Sequence, residues 1–490
     1  MQIIKISPPD WSGGARREAR KLIICFIALL LIVSCDKKSG TATPELSVSS
    51  TEELFIGEGG TSEVTVSSNT KWSISNAPVW CTATASVTEG NGKITLNAQA
   101  NTSFSERSVV IAVNAGSLTQ QIKLRQLGKV VADSIPPDQT GMRSLNSVDL
   151  AKEMKRGWNL GNTLDAIGSE TAWGNPKATQ QLIDSIKAAG FNAVRIPVAW
   201  SKFTDAASYK IDTAFMSRVE EVVNYVLKDN MYAIVNIHWD GGWMQPTYAK
   251  QAYVNDRLAK MWKQIAIRFR DYNDYLLFAG TNEVMVDGDY STPKPEYYTV
   301  QNSFNQTFVT TVRATGGRNT YRHLVVQGFN TNIDHTVNFF KAPTDATPSR
   351  MMVEVHYYDP YDFTLSTDAT IVQWGKNATD PTKTETWANE AYADGQFQKM
   401  KTNFIDKGYA VILGEYAAQA RLSLGSDAAN LAHAGYRKYY LDYITQSAAA
   451  RGLVPFYWDS GFTGDKGSGL FNRNTGAKVF PDMVTAITGK

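Results

Sequence analysis

Apolar residues in this chain follow two different patterns, and the pattern changes near residue 143. Residues 45–128 are rich in Ser, Thr and Val, and their apolar positions alternate with polar ones. Several short alternating runs separated by Gly-containing turns are typical of an all-β sandwich with an immunoglobulin-like architecture. The alternating positions are Val64 and Val66, Trp72 and Ile74, Ile94 and Leu96, Val109, Ile111 and Val113, and Ile122 and Leu124.

From residue 143 to 490, short continuous apolar runs alternate with stretches of helical spacing. One helical face carries Phe215, Val219, Val222 and Val226, and another helix is predicted to open at Pro176 and to end at Gly190. Continuous apolar runs indicate strands buried on both faces of a parallel sheet, so the pattern predicts a (β/α)8 TIM barrel with enlarged loops. The eight predicted strands are Met154–Gly161, Asn192–Val198, Met231–His238, Tyr275–Glu283, Arg322–Gly328, Met351–Tyr358, Tyr409–Glu415 and Leu453–Trp458.

The N-terminus has the composition of an export signal. Four basic residues between Arg16 and Lys21 precede a short apolar run, Leu22–Val33, which is too short to span a membrane and typical of a signal peptide. The run leads into Ile-Val-Ser-Cys, which resembles a bacterial lipobox, so residues 1–34 are predicted to be a lipoprotein signal peptide and Cys35 the lipidated residue. An ordinary signal peptide with an incidental cysteine is the alternative. Residues 35–44 are polar and predict a flexible tether.

Composition narrows the possible functions. The chain has 490 residues, which indicates two or more domains, and residues 129–142 contain prolines and predict a linker between them. Its net charge is only +2 and no basic stripe is present, which argues against nucleic acid as a partner. Two of the 3 cysteines lie in the leader, which excludes a disulfide framework. The 12 tryptophans are consistent with a protein that stacks sugar rings, although many are expected in the core.

Two glutamates end apolar runs and carry the strongest chemical signal. Residues 411–416 read VILGEY, with Gly414 interpreted as a turn residue before Glu415, and residues 275–283 read YLLFAGTNE, ending in Glu283. A carboxylate at the end of a buried strand is costly unless it is paired or used. Each one singly is expected to be structural, but two strand-end carboxylates are what glycoside hydrolysis requires.

Other polar residues fall at the same ends of the predicted strands. Because active sites of barrels lie at the carboxyl ends of the strands, we expect these side chains to form one site. They are Arg195, Asn236, His238, Trp239, Asn282, Glu283, His356, Tyr358, Glu415 and Trp458.

The region from about Leu145 to the end resembles glycoside hydrolase family 5, and in particular its subfamily-four endoglucanases and xyloglucanases. In that subfamily the second position of the His238 motif is often His, whereas here it is Trp239. The matching motifs are GWNLGNTLDA (157–166), NAVRIPVAW (192–200), NIHWDGGW (236–243), TNE (281–283), VHYYDP (355–360), LGEY (413–416) and FYWDSG (456–461).

Residues 45–128 resemble the BACON domain of Bacteroidetes surface proteins. The matching features are Lys71-Trp72, Trp80, Arg107 and the closing Leu124-Arg125-Gln126. A spacer role is favoured over carbohydrate binding, because the tryptophans sit in alternating strands and are expected in the core.

The resemblance to family 5 implies a role for each matching residue. Glu283 would be the acid/base and Glu415 the nucleophile of a retaining reaction, with their carboxyl groups roughly 5–5.5 Å apart. Asn282 would bond the sugar 2-hydroxyl, and Arg195 and Tyr358 would hold Glu415 ionised.

The remaining site residues are assigned to substrate contacts. His238 and His356 would bond substrate hydroxyls or tune Glu283, and Trp458 would form the floor beneath the cleaved sugar. Asn162 and Trp173 are expected near the barrel mouth, where Asn162 either reaches substrate or caps its own loop. Trp243 and four aromatics of residues 359–389 either line a glycan cleft or pack under their own loops; the four are Tyr361, Phe363, Trp374 and Trp387.

We therefore expect a secreted, lipid-anchored, retaining endo-β-1,4-glucanase that needs no metal or cofactor and acts as a monomer. Xyloglucan is the favoured substrate, because the whole arrangement resembles gut-bacterial xyloglucan endohydrolases. Cellulose or mixed-linkage β-glucan is the next alternative, and mannan the third. The expected location is the outer membrane, at the cell surface, with the periplasmic face left open. The hypothesis from another class is a surface glycan-binding lipoprotein without catalytic activity.

Overall fold

The computed structural model describes residues 43–103, 106–129, 132–239 and 241–490. The predicted signal peptide, Cys35 and most of the predicted tether lie outside the described residues. Within the described part of the chain, no helix combines the length and the apolar character needed to cross a membrane.

The N-terminal region is all-β, as predicted. Its eight strands form two four-stranded sheets, with orders β1-β3-β6-β5 and β2-β8-β7-β4. The Trp72 side chain is buried and its indole N–H donates to the carbonyl of Gly90, which places it in the core as expected. The same expectation is wrong for Trp80, which lies in a turn before β5 and is half-buried. The strands are β1 Leu46–Val48, β2 Glu52–Phe55, β3 Gly60–Ser68, β4 Ser73–Ser75, β5 Cys81–Ala85, β6 Gly92–Ala98, β7 Arg107–Ala115 and β8 Leu118–Gln126.

The predicted linker is attached to the outside of the C-terminal domain. Its short strand β9, Ile135–Pro137, pairs in parallel with β14, Gly316–Gly317. The Asp133 carboxylate lies 2.6 Å from the Lys263 ammonium.

The C-terminal region is a closed barrel of eight parallel strands, in the order β10-β11-β12-β13-β15-β16-β17-β18, with β18 pairing back onto β10. All eight predicted strands are present, and most are shorter than predicted because residues at one or both ends belong to loops. Met154, predicted to begin the first strand, is instead the last residue of a helix. They are β10 Gly157–Leu160, β11 Ala193–Ile196, β12 Tyr232–Asn236, β13 Leu276–Ala279, β15 Leu324–Gln327, β16 Met351–His356, β17 Ala410–Tyr416 and β18 Leu453–Asp459.

A helix follows each barrel strand. The helix predicted to open at Pro176 in fact begins at Gln180, because Thr179 provides the N-cap by accepting the N–H of Leu182. Gly190 ends that helix with φ +110°, as predicted. The helices are α1 Ser147–Met154, α2 Gln180–Ala189, α3 Thr213–Lys228, α4 Tyr248–Arg268, α5 Pro295–Ala314, α6 Ile333–Phe339, α7 Tyr361–Thr364, α8 Glu390–Asn403, α9 Asp427–Ala450 and α10 Pro481–Thr488.

The barrel interior is divided along its length. Towards the amino ends of the strands it is filled by buried apolar side chains, and α1 closes this end with Leu150 and Met154. Two residues further along several strands the interior side chains become polar or charged. The apolar layer contains Ala193, Ile234, Leu277, Val325, Met352, Ile412 and Val454.

Candidate active site

Glu415 lies inside β17 rather than after a turn. The interpretation of Gly414 as a turn residue is wrong, since Gly414 is a strand residue. A Cβ at Gly414 would lie only 2.1 Å from an oxygen of Glu354, on the neighbouring strand β16. The glycine is therefore required by a side chain that fills the space beside the strand.

Glu283 lies four residues beyond the end of β13, in the following loop. Its backbone adopts φ +46°, an uncommon conformation for a residue with a side chain. Its N–H donates to the side-chain oxygen of Gln327 at 3.2 Å. The Glu283 side chain is 41% exposed, whereas that of Glu415 is 7% exposed. The two glutamates thus face the same cleft from different depths.

The two carboxylates are close together. One oxygen of Glu283 and one of Glu415 lie within 4.8 Å of each other. Retaining glycosidases keep their carboxyl groups about 5–5.5 Å apart, whereas inverting enzymes need about 6.5–9.5 Å to admit a water molecule. The spacing therefore matches a retaining pair.

Arg195 connects most of the buried polar groups. Its fully buried guanidinium lies 2.9 Å from Glu415 and 2.9 Å from Glu354. It also donates to the side-chain oxygens of Asn159 at 3.0 Å and Asn282 at 2.5 Å. Because the Asn282 oxygen faces a pure donor, its amide N–H groups are left to meet substrate.

The nucleophile candidate has a second donor. The hydroxyl of Tyr358 donates to Glu415 at 2.9 Å. Two donors on one carboxylate orient it and favour its ionised form. Arg195 and Tyr358 thus contact Glu415 as the family resemblance implies.

His356 bridges two carboxylates. Its Nδ1 lies 2.6 Å from Glu283 and its Nε2 lies 3.1 Å from Glu354. A third carboxylate, Glu415, lies 3.8 Å from Nδ1. Burial alone would lower the pKa of His356, but these acidic neighbours outweigh burial and raise the pKa to about 10. This shift favours the imidazolium at neutral pH, a form that can donate from both nitrogens.

The two catalytic candidates have opposite shifts. Burial raises the pKa of Glu283, but the hydrogen bond and charge of His356, with the charge of Arg195, bring it below its ordinary value. Burial raises the pKa of Glu415, and His356, Arg195 and Tyr358 only partly offset that rise. The acid/base candidate is thus held as a carboxylate beside a protonated histidine.

Glu283, His356 and Glu415 are also near enough to one another to ligate a metal ion. Metal binding needs a neutral imidazole with a free lone pair. Since His356 carries protons on both nitrogens towards carboxylates, these residues suit a charge network better than a metal.

His238 is held in one tautomer. The side-chain oxygen of Asn236 accepts the N–H of Val198, so its amide nitrogen faces Nδ1 of His238 at 3.2 Å. Burial lowers the pKa of His238 well below its usual value, with further contributions from Arg195 and His356. His238 is therefore neutral and carries its proton on Nε2. Its ring stacks on Trp458 with centroids 5.6 Å apart.

A pocket of about 230 Å³ lies beside Glu283, between the loops after β12 and β13. Trp239, Trp243 and Tyr290 line it. The Arg257 guanidinium lies 4.3 Å from the centre of the Trp243 ring. Trp243 thus lines the pocket and also packs against the core beneath its loop.

The loop aromatics after β16 separate into two groups. Phe363 and Trp374 are fully buried and pack against Tyr440 of α9, so a cleft-lining role for them is wrong. Tyr361 and Trp387 are largely exposed.

Asn162 and Trp173 belong to the segment that follows β10. Asn162 has φ +55°, and its N–H donates to Asp165. The Asn175 side chain joins this segment to β18 by donating to the carbonyls of Asn162 and Ser460. Trp173, two residues away, is exposed.

Three residues of the site are not among those predicted from the sequence: Glu354, Gln327 and Asn159. All three are fully buried and each contacts a residue of the site. Glu354 and His356 are two residues apart on one strand and face the same side. That spacing was the available signal, but Glu354 lies within an otherwise apolar run.

The sequence profile of cellulase (glycosyl hydrolase family 5) matches residues 159–464. The chain belongs to glycoside hydrolase family 5. A second profile, the BACON putative binding domain, matches residues 70–127. Both resemblances found in the sequence are thereby confirmed, as is the assignment to the glycoside hydrolases.

Two relatives show how far the family 5 similarity extends. The chain is 40% identical over 492 aligned residues to a xyloglucan-specific endo-β-1,4-glucanase of Bacteroides ovatus, covering 97% of this chain and 96% of the relative. It is 41% identical to endoglucanase A of Paenibacillus barcinonensis over 71% of this chain and 90% of that protein.

Solved structures of family 5 enzymes are similar to this chain in fold. The Bacteroides ovatus family 5 xyloglucanase in complex with the heptasaccharide XXXG superposes with a TM-score of 0.70 at 39% identity, covering 91% of this chain and 99% of that one. A broad-specificity endoglucanase from Ruminococcus champanellensis with bound cellotriose gives a TM-score of 0.63 at 36% identity, over 71% of this chain and 99% of the other.

Proposed function

We propose that this protein is a retaining endo-β-1,4-glucanase in which Glu415 is the nucleophile and Glu283 the acid/base. One observation carries the proposal. The two carboxylates lie within 4.8 Å, and each has its own donors, Arg195 and Tyr358 on Glu415 and His356 on Glu283.

In the first step the Glu415 carboxylate attacks the anomeric carbon while Glu283 protonates the departing glycosidic oxygen. In the second, Glu283 takes a proton from water, which releases the sugar from Glu415 with its configuration retained. An Asn282 amide N–H bonds the 2-hydroxyl, and Trp458 stacks beneath the sugar.

Xyloglucan is the proposed substrate. The similarity to the xyloglucan-specific relative covers the N-terminal domain as well as the barrel. The pocket beside Glu283 is lined by Trp239, Trp243 and Tyr290, and Trp173, in the segment after β10, is exposed. Such an open cleft can hold a branched chain internally, which suits endo cleavage.

Reducing-sugar release from xyloglucan, mixed-linkage β-glucan, carboxymethyl cellulose and galactomannan tests this assignment. We expect xyloglucan to be cleaved fastest, with an early drop in viscosity that marks internal cleavage. Faster cleavage of unbranched glucans would refute the xyloglucan assignment. Absence of hydrolysis of all four would refute the enzyme assignment and favour a glycan-binding protein.

A lipid anchor at Cys35 is a separate proposal, supported by the basic and apolar leader and the Ile-Val-Ser-Cys sequence. Labelled palmitate should be incorporated into the full chain and not into Cys35→Ser. Protease treatment of intact cells should remove the protein if the anchor faces outward. Survival of the protein would indicate the periplasmic face.

A further inference from the structure

Glu354 is a third carboxylate in the site, and it never reaches the cleft. Its side chain is 0% exposed. One of its oxygens lies 2.9 Å from Nε of Arg195 and 3.1 Å from Nε2 of His356. A buried carboxylate costs several kcal/mol unless it is fully paired, and here both partners contact a catalytic glutamate.

The charges of the site explain why a third carboxylate is useful. Arg195 and His356 are cations, and the two catalytic glutamates alone would balance them. With Glu354 present, one negative charge is in excess, so His356 can stay protonated. The proton then sits 2.6 Å from Glu283, on a ring nitrogen rather than on the carboxyl group.

We propose that Glu354 is a positioning residue that keeps the catalytic proton on His356, from which Glu283 draws it in the first step and to which Glu283 returns it in the second. The proposal rests on the function proposed above. It accounts for an acid/base whose ordinary resting form is a carboxylate.

The proton balance closes over the two steps. When the glycosidic bond breaks and the Glu415–carbon bond forms, the leaving oxygen takes a proton from Glu283, which takes one from Nδ1 of His356. His356 becomes neutral and keeps its Nε2–H towards Glu354. When water attacks and the Glu415–carbon bond breaks, the proton of the water passes through Glu283 back to Nδ1.

The surrounding chain preserves this arrangement. Gly414 has no side chain, and a Cβ there would meet Glu354 at 2.1 Å. Gln327, on the other neighbouring strand, accepts the N–H of Glu283 and fixes the loop that carries it. Gln327 is also the residue directly opposite Glu354 on β15, so Glu354 has Gln327 on one side and the space left by Gly414 on the other.

The direction of the expected pH effect follows from the groups around His356. Glu415, Glu283 and Glu354 act on it directly, and His238 lies near it. Arg195 and Tyr358 contact the same carboxylates. Loss of the Glu354 charge lowers the pKa of His356, and it also lowers the pKa of Glu283, which Glu354 now raises. Because both changes make the proton dissociate at a lower pH, the alkaline limb of the pH–activity profile should shift to lower pH.

Nitrogen-15 NMR of the histidine rings in the wild-type protein tests whether His356 carries the proton. The chain has 5 histidines, and burial lowers the pKa of the four others, which are His238, His323, His335 and His433. At pH 8 we expect one imidazolium with two protected N–H groups, assigned by its loss in His356→Asn. Five neutral rings at pH 8 would overturn the proposal, even if Glu354→Gln did not fold.

A kinetic comparison tests the role of Glu354 itself. For Glu354→Gln we expect about a 10²-fold lower kcat/KM on cellotetraose, because the leaving group there must be protonated. On dinitrophenyl β-cellobioside, whose leaving group needs no proton, the loss should stay within about threefold. The alkaline limb on cellotetraose should also move down by about one pH unit or more.

Glu170→Gln is the matched control. Glu170 is also a buried glutamate paired with an arginine, Arg218 at 2.8 Å, and its other hydrogen bond in the described part of the chain is from the N–H of Ala178, away from the catalytic glutamates. Glu170→Gln should change neither the ratio of kcat/KM on cellotetraose to kcat/KM on dinitrophenyl β-cellobioside nor the alkaline limb of the pH–activity profile. An equal loss on both substrates in Glu354→Gln would show a purely structural role and overturn the proposal. Failure of the wild-type protein to cleave any β-glucan would instead refute the proposed function, which the NMR result does not depend on.

Discussion

The two ends of the barrel interior are built from the same strands and hold opposite kinds of side chain. Ile234 and Met352 belong to the apolar layer, whereas Asn236 and Glu354, two residues further along the same strands, are polar or charged. β11 shows the same change from Ala193 to Arg195.

The difference concerns how each layer is stabilised. An apolar side chain needs only neighbours of fitting volume, so its loss costs transfer and cavity energy. A charged side chain in the polar layer, towards the carboxyl ends of the strands, is stabilised only by specific hydrogen-bond and ion-pair partners. The charge state of each of these groups also depends on the others. Substitutions in the apolar layer, which we call the lower end of the barrel, should therefore change the stability of the fold. Substitutions in the polar layer, which we call the upper end, should change the rate of the reaction.

Glu415→Ala should give the largest effect. Without the nucleophile no glycosyl-enzyme forms, so kcat/KM on xyloglucan should fall by about 10⁵-fold or more. Initial-rate measurements check this, with the thermal unfolding temperature as the control for folding. Unchanged hydrolysis would remove Glu415 from the mechanism.

Glu283→Ala should be less severe. On xyloglucan we expect a loss of about 10²–10⁴-fold, the usual contribution of general acid–base catalysis. With dinitrophenyl β-cellobioside, added azide should restore turnover and yield the β-glycosyl azide, because a small anion replaces the water that Glu283 activates. Recovery of the α-azide, or no recovery at all, would contradict the assigned role.

Ile412→Ala tests whether the apolar layer contributes to stability alone, on the same strand that carries Glu415. Ile412 is fully buried in the apolar layer, two residues before Gly414. The free energy of unfolding should fall by about 3 kcal/mol, within the usual range for deleting a large core side chain. Denaturant unfolding measures this loss, and kcat at 25 °C should change by less than about twofold. A large fall in kcat without loss of stability would show that the two ends are not separable.

The barrel and the catalytic glutamates could be predicted because their signals are local. A buried strand has a continuous apolar run in its sequence, and a polar residue at the end of that run is easily recognised. Glu354 could not be predicted in the same way, since its role depends on side chains from β11, β15, β17 and the loop after β13, which meet only in the closed barrel. Gly414 was interpreted as a turn for the same reason, because the side chain that fills its Cβ space comes from another strand. The burial of Phe363 and Trp374 depends on α9, far along the sequence.

The smallest expected effect concerns the exposed aromatics at the upper end. Trp239 is 51% exposed and lines the pocket beside Glu283, whereas Tyr248 is 59% exposed and lies outside that lining. Trp239→Ala should raise KM on xyloglucan about fivefold with kcat little changed, because a stacked ring contributes about 1 kcal/mol of binding. Tyr248→Ala should leave KM unchanged. Equal effects of both substitutions would mean that exposure alone, and not position at the carboxyl ends of the strands, determines which aromatic rings meet the sugar.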